Sequence, residues 1–128
     1  MAVGLAAATA NALLDALGNA ANYTADASVF AKLHIGDPGA AGTTSPATET
    51  TRKAISFAAA AAGSMASDAA ITWTNIAGSE DATHFSVWTD VAAGTFRWSG
   101  TVTANAYVAG DTLTIASGSM TAAFTVAS

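Results

Sequence analysis

Short stretches of alternating apolar and polar residues, separated by turn residues, occupy most of this chain. Between residues 28 and 35, apolar side chains alternate with Phe30, Lys32 and His34, which predicts a half-buried strand. Similar patterns predict further strands over residues 54–57, 70–76, 83–89, 95–103, 112–116 and 121–126. An alanine run at 58–62 is predicted to be extended or irregular, since strand patterns flank it. About seven close strands without intervening helices predict an all-β fold, an antiparallel β-sandwich.

One helix is predicted before the strands. Alanine dominates residues 2–17, and Leu5, Leu13 and Leu17 recur there at roughly helical spacing. Gly18 and Asn19 tolerate the left-handed conformation that ends many helices. We therefore divide the chain into an N-terminal helical arm, residues 1–19, and a β-sandwich domain, residues 20–128. The helix either packs across the open end of the sheet or docks on a neighbouring subunit, and its three leucines are candidate interface residues.

A long exposed loop is predicted at residues 36–51. It holds both prolines and a cluster of Thr and Ser, and it has no large apolar residue. At its start, Asp37 can bond the backbone two residues on, and Pro38 presets the turn. Because loops of this length in compact domains are usually functional or mobile, Asp37 and Pro38 are also candidate interface residues.

The core is predicted from the large apolar residues that share a strand face. Its predicted members are Leu33, Ile35, Ile55, Phe57, Ile71, Trp73, Phe85, Val87, Phe96, Trp98, Leu113, Ile115, Phe124 and Val126. Trp88 breaks phase with Phe85 and Val87, so it points to the other face of its strand. It is therefore the one aromatic residue that we expect to face a partner.

Composition narrows the class of protein. Charged residues make up 10% of the 128 residues, whereas about a quarter is usual, so we expect neutral surface to be covered by copies of the chain or by a larger assembly. The net charge of −5 and the absence of a basic stripe argue against nucleic-acid binding. The first 18 residues lack a basic start and carry Asp15, which argues against a signal peptide. No apolar run is long enough to predict a membrane-spanning helix.

No catalytic, cofactor-binding or metal-binding residue is predicted. The chain has no cysteine, and His34 and His84 are its only histidine bases. Neither lies near a nucleophile elbow or at a metal-ligand spacing, so both are interpreted as structural or surface histidines. The adjacent carboxylates Glu80 and Asp81 fall in a predicted turn, where we expect them to be solvated. The sequence therefore predicts no enzyme.

Several segments carry a resemblance to a known group of proteins. They are L-H-I-G-D-P-G-A-A-G-T at 33–43, a basic start to the next strand at 52–55, A-I-T-W at 70–73, T-H-F-S-V-W at 83–88 and G-T-F-R-W-S-G at 94–100. In this order, after an alanine-rich helix, they resemble small structural proteins of tailed bacteriophages, especially phages of actinobacterial hosts. The resemblance implies a virion part, either a minor tail or tail-fibre-like protein or a capsid-decoration protein. It supplies no functional residue.

Two function classes follow, and a third stays open as a remote case. The first is a non-enzymatic virion subunit that assembles with itself, as a trimer or dimer, and docks on the major capsid protein or on tail proteins. The alternative is a carbohydrate- or cell-surface-binding module of the tail, using Trp88. The third is a small hydrolase that depends on His34 or His84. Nucleic acid and membrane are not expected among the partners.

Overall fold

The computed structural model of the chain describes residues 3–104 and 106–127. In this part of the chain one helix, α1 (Ala7–Gly18), precedes eight short strands. The strands are β1 (Val29–His34), β2 (Lys53–Ile55), β3 (Ser64–Ala66), β4 (Ile71–Trp73), β5 (His84–Trp88), β6 (Phe96–Thr101), β7 (Leu113–Ile115) and β8 (Thr121–Ala123). The predicted all-β fold with one N-terminal helix is confirmed. The strand that the sequence pattern did not predict is β3.

All the strand pairs are antiparallel, and they form three sheets. The largest sheet has the order β2-β1-β5-β6, while β3 pairs with β8 and β4 pairs with β7. Residues 4–6 run along the free edge of β6, where the Ala6 N–H donates to the Arg97 carbonyl at 2.8 Å and the Ser99 N–H donates to the Gly4 carbonyl at 2.8 Å. The chain is therefore paired with the large sheet before α1 begins.

The main core lies where the four-stranded sheet meets the two small sheets. Alternate residues of β1 and β5, such as Leu33 and Phe85, point to this side, which we call the core face. Trp73 of β4 packs in the same cluster from a small sheet. The buried apolar members of the cluster are Ala31, Leu33, Ala47, Ile55, Ile71, Trp73, Ile76, Ala82, Phe85, Val87, Trp98, Val102, Tyr107, Leu113, Ile115 and Met120. The period-two pattern thus identified the inward side of most strands.

Three residues predicted in the core are exposed instead. Ile35, Phe124 and Val126 are 46%, 58% and 54% exposed. Ile35 follows the last residue of β1, where its N–H donates to the Ser45 carbonyl and the chain turns into the loop. Phe124 and Val126 come after the end of β8; the Phe124 N–H still donates to the Gly63 carbonyl, but both side chains stay outside the core.

The loop at 36–51 folds back on the large sheet over part of its length. Residues 45–47 pair with the end of β1, with His34 opposite Pro46. Gly42 has φ +72°, and a Cβ there would lie 2.6 Å from the Phe96 ring, so the loop backbone presses on that ring. Ala40 and Ala41 stay exposed. The loop therefore covers the face of the sheet opposite the core, which we call the outer face.

Candidate functional site

Three polar side chains on the outer face form a directed chain of hydrogen bonds. Because the Thr44 carbonyl can only accept, His34 Nδ1–H donates to it, at 2.8 Å. The other ring nitrogen, Nε2, then accepts from the Ser86 hydroxyl at 2.8 Å. The Trp88 indole N–H in turn donates to Ser86 Oγ at 2.8 Å. The network holds the loop at Thr44 against β1 and β5, and it fixes one tautomer of His34.

This arrangement brings together the serine and histidine that nucleophilic catalysis would need, but it buries both away from solvent. His34 and Ser86 are fully buried, and a backbone carbonyl, rather than a carboxylate, orients the ring. Burial is the largest influence on the His34 pKa and lowers it, so the imidazole is neutral at pH 7. His34 is a structural histidine, as predicted, and the pair has no opening for a substrate.

Trp88 lies on the outer face, as its phase predicts, but it is covered. The guanidinium carbon of Arg52 stands 4.2 Å from the ring centroid, and the Phe96 ring packs beside it at 5.5 Å. With Ala6 these two aromatic residues form a second small buried cluster, and Trp88 is left 9% exposed. The expectation that Trp88 presents an open surface to a partner does not hold in this chain, because Arg52 reaches across it.

The two loop candidates, Asp37 and Pro38, have structural roles. Asp37 Oδ1 accepts from the Gly39 N–H at 2.8 Å, which is the turn bond that the sequence predicts. Pro38 is fully buried, and its carbonyl accepts from the Thr44 N–H at 2.8 Å. Both residues therefore shape the loop at the point where it meets the His34 network.

Glu80, which was expected to be solvated, ties the end of the loop to the β6–β7 connection. Its carboxylate accepts from the backbone and the hydroxyl of Thr48, at 2.9 and 2.7 Å, and from the Tyr107 hydroxyl at 3.2 Å. The Thr48 bonds are the main reason that the pKa of Glu80 is lowered. Burial, and then the Glu80 charge, raise the pKa of Tyr107 to about 12. This cluster therefore stabilises the fold by linking the loop to the β6–β7 connection.

An apolar groove lies beside the helix. It has a volume of about 290 Å³, and we call it the α1 groove. Its lining residues are Leu5, Thr9, Leu13, Tyr23, Asp26, Ala60, Gly63, Ser64, Met65, Arg97, Trp98, Ala122, Ala123 and Phe124. The helix forms one wall, and β3 and β8 supply residues opposite it. The helix and the paired strands β3 and β8 leave this space unfilled, so the groove is a candidate for binding.

The three leucines predicted in the helix take different positions, since Leu5 lies before α1, which begins at Ala7 and not at residue 2 as the alanine run predicted. Leu5 is partly buried, lies opposite Trp98 on the edge of β6 and packs against the core. Leu13 is half-buried in the groove lining. Leu17, one turn further, is 85% exposed, and its neighbour Leu14 is 64% exposed. The segment just before α1 thus pairs with the sheet, and the end of α1 presents apolar side chains to solvent.

Two groove residues have buried polar atoms with no hydrogen-bond partner in the structure. They are Thr9 Oγ1 and Trp98 Nε1, on residues that are 4% and 8% exposed. The other two tryptophans are satisfied, since Trp73 donates to the Thr51 carbonyl at 2.9 Å and Trp88 donates to Ser86. Sequence reasoning missed Thr9, because a threonine in an alanine-rich helix carries no distinguishing pattern.

An ion pair between two lining residues of the groove joins β6 to the connector that follows α1. Arg97 of β6 donates through Nε and Nη2 to the two oxygens of Asp26, at 2.8 and 2.6 Å. These bonds raise the pKa of Arg97 and fix the connector that follows α1. The pair was not predicted, although Asp26 is the sole acidic residue in the 20–27 connector, and Arg97 is the sole basic residue of its strand.

Replacing Asp26 with asparagine is expected to lower the free energy of unfolding by about 1 kcal/mol. The pair is partly exposed, which limits its strength, but it is bidentate. Urea denaturation followed by circular dichroism measures the change, and Asp81→Asn, which removes an exposed carboxylate, is the matched control. Equal effects of the two variants would show that Asp26 acts only through net charge.

Two further features bear on the class of protein. Among residues 3–104 and 106–127 no group of three or more His, Asp or Glu side chains could hold a metal ion. The one helix of this part of the chain is too short to cross a membrane. A closed Ser–His pair, an apolar groove and exposed leucines are the features that this small all-β domain presents.

The comparison with protein families identifies that class. The model of a family described as "Podophage GP4 fiber I protein gp80" matches residues 4–123. Since the match spans nearly the whole chain, the chain belongs to this family, and it is a structural protein of a phage virion. No curated protein matches the chain. The predicted phage origin is confirmed, while the predicted actinobacterial host receives no support.

Proposed function

We propose that this chain is a non-enzymatic subunit of a phage fibre that assembles with copies of itself and docks on neighbouring tail proteins. The observation that carries the proposal is an exposed apolar surface around the α1 groove. Leu14 and Leu17 are exposed on the helix whose Leu13 lines the groove, and Phe124 and Val126 are both more than half exposed. Phe124 lines the groove, and Val126 lies against Gly63, another lining residue.

Such a surface is costly for a free monomer. Apolar area in water is unfavourable by about 25 cal/mol per Å², and contiguous apolar patches on soluble proteins usually mark contact sites. Only 10% of the residues are charged, so little charge keeps copies of the chain apart. Contact with another protein would remove the patch from water. These features favour a building unit over a free binding module.

The family favours a role in the tail over decoration of the capsid, because it is described as a family of fibre proteins. The absence of enzymatic activity is favoured by the burial of Ser86 and His34. The alternative, a carbohydrate-binding module, is less favoured. It depended on an exposed Trp88 ring, and Arg52 covers that ring.

The test is to locate the chain in the particle. Virions purified by density gradient are separated into heads and tails, and peptides of the chain are quantified in each fraction by mass spectrometry. We expect the peptides in the tail fraction, in a fixed ratio to a known tail protein. Peptides confined to heads would favour capsid decoration instead, and their absence from both fractions would contradict the proposal.

A further inference from the structure

We propose that residues 36–44 form a flap that opens from the outer face when His34 takes up a proton. The four-stranded sheet and the main core stay folded while the flap is open. The inference goes beyond the proposed function, because it concerns a movement within one chain and does not depend on where in the virion the chain sits.

The flap is closed by hydrogen bonds of its own. The Thr44 N–H donates to the Pro38 carbonyl at 2.8 Å, and Gly39 takes part in two further turn bonds. At the base of the flap the Ile35 N–H donates to the Ser45 carbonyl at 3.0 Å. Because the bonds inside the flap do not involve the sheet, the flap can leave the outer face as a unit.

His34 is the side chain that bonds the flap to the sheet. Its Nδ1–H donates to the carbonyl of Thr44, the last flap residue, and its Nε2 accepts from the Ser86 hydroxyl of β5. The side chains of His34 and Ser86 are both fully buried. The bond from Ser86 cannot survive protonation of the ring, since a protonated Nε2 is a donor only.

The direction of the hydrogen bonds leaves no place for the extra proton. A protonated Nε2 would have to donate to Ser86 Oγ, which already accepts from the Trp88 indole N–H. The Ser86 hydrogen would then need another acceptor, and within residues 3–104 and 106–127 the partners of Ser86 Oγ are His34 and Trp88. Protonation of the closed state therefore buries a charge and leaves a hydroxyl hydrogen unpaired.

The charges around His34 oppose its protonation as well. Burial lowers the pKa of His34 most, and the charges of Lys32 on β1 and of protonated His84 on β5 lower it further, against the hydrogen bond to the flap. Arg52, over the Trp88 ring, adds a further positive charge to this face. Asp37, the carboxylate of the flap, accepts from the backbone of its own turn instead. The imidazolium is therefore stabilised only by water, which reaches it when the flap opens.

Strain at the base of the flap lowers the free energy of opening. Ser45 has φ +49°, in the left-handed region that residues other than glycine occupy only where the surrounding structure holds them there. It follows Thr44 directly, and its carbonyl accepts from Ile35. When the flap leaves the sheet, Ser45 is free to return to an ordinary conformation.

The far end of the loop stays anchored over the same pH range. Thr48 donates to Glu80 through its backbone N–H and its hydroxyl, and the Glu49 carboxylate accepts from the Thr51 and Ala77 N–H groups. Burial acts to raise the pKa of Glu49, but its hydrogen bonds outweigh burial, and the Thr48 bonds lower the pKa of Glu80. Both carboxylates therefore stay charged between about pH 4.5 and 6.5, and opening is confined to the flap.

Opening uncovers apolar surface on the outer face. A Cβ at Gly42 would lie 2.6 Å from the Phe96 ring, so the flap backbone covers that ring directly. Phe96 is 8% exposed and packs on Trp88. A partner that touches the Phe96 ring therefore binds the open state, which is favoured at acidic pH.

Hydrogen exchange of the full chain, followed by NMR, measures the opening at single sites. Protection factors, which correct for the direct effect of pH on exchange, are compared at pH 7.5 and 5.5. In the open state His34 has its ordinary pKa of 6.5, so we expect the protection of the Ile35 amide and the Trp88 indole N–H to fall about tenfold. The Val102 amide and the Trp73 indole N–H, which are bonded to the carbonyls of residues 83 and 51, serve as controls and should keep their protection.

Three variants assign the effect. In His34→Gln the side chain keeps a donor and an acceptor but does not titrate, so protection should be equal at the two pH values. His84→Gln is the matched control, since the His84 ring bonds the Thr83 hydroxyl and not the flap, and it should respond to pH as the wild type does. Gly42→Ala places a methyl group against the Phe96 ring and should lower the protection of Ile35 at both pH values.

Three results would overturn the inference. Equal protection of Ile35 at the two pH values in the wild type would show that the flap stays closed. A loss that remains in His34→Gln would assign it to another group. An equal loss at Val102 would mean that the whole sheet opens with the flap. The proposed function is tested separately, by the position of the chain in the virion, and stands or falls without these results.

Discussion

Replacing Trp73 with alanine is expected to lower the free energy of unfolding by about 3–5 kcal/mol. Trp73 is almost fully buried in the main core, pairs with Leu113 across the β4–β7 ladder, and donates its indole hydrogen to the Thr51 carbonyl. The truncation opens a cavity and also leaves that carbonyl without its partner. Against a total stability of about 5–15 kcal/mol for a typical domain, this loss is large.

Urea denaturation followed by far-ultraviolet circular dichroism measures this effect. The matched control is Thr72→Ala, on the same strand but exposed, where the hydroxyl bonds Thr114 at the surface. We expect the control to stay within about 0.5 kcal/mol of the wild type. A Trp73→Ala variant that loses less than about 1 kcal/mol would contradict the position of the core between the large sheet and β4.

The second large effect is the pH dependence caused by His34. Burial lowers the pKa of His34 in the folded chain below its ordinary value of 6.5, with the Lys32 charge acting in the same direction, while the hydrogen bond to the Thr44 carbonyl opposes it. The unfolded chain therefore binds more protons below that value. Stability is fully present above pH 6.5 and is lost as the pH falls below it. Carboxylates whose pKa is lowered, Glu49 and Glu80, add their own loss only near pH 4.5 and below.

The His34 contribution is isolated with two variants. His34→Gln removes the titration, so the decline in stability just below pH 6.5 should be absent. His34→Ala leaves the Ser86 O–H donor and the Thr44 carbonyl without their His34 partner, at about 1–3 kcal/mol each at pH 7, although Ser86 Oγ still accepts from Trp88. Denaturant titrations between pH 5 and 8 measure both effects, with His84→Gln as the control. A decline that persists unchanged in His34→Gln would show that His34 is not the group responsible.

Much of the fold could be predicted because the chain has regular alternation with clear breaks. Leu33, Phe85 and Trp73 sit on strand faces whose inward side follows from a period of two. The errors fall at strand ends. Ile35 and Phe124 continue the alternation of their strands but lie just past the last strand residue, and local pattern does not reveal where a strand ends.

The candidate site was harder to predict, because it depends on contacts between distant parts of the chain. The phase of Trp88 correctly indicated the outer face, yet nothing local shows that Arg52 would cover the ring. The α1 groove joins residues from both ends of the sequence, and Thr9 and Trp98 are notable only because the fold leaves their polar atoms unpaired.

The most direct test of the central claim, that this chain acts by assembling on a phage particle, is a rebinding measurement. Particles produced without the chain are mixed with labelled purified protein, and bound copies are counted after sedimentation. We expect saturable binding at a fixed number of copies per particle, a multiple of the number of chains in the soluble oligomer. Binding no greater than that of an unrelated protein of similar charge would contradict the account.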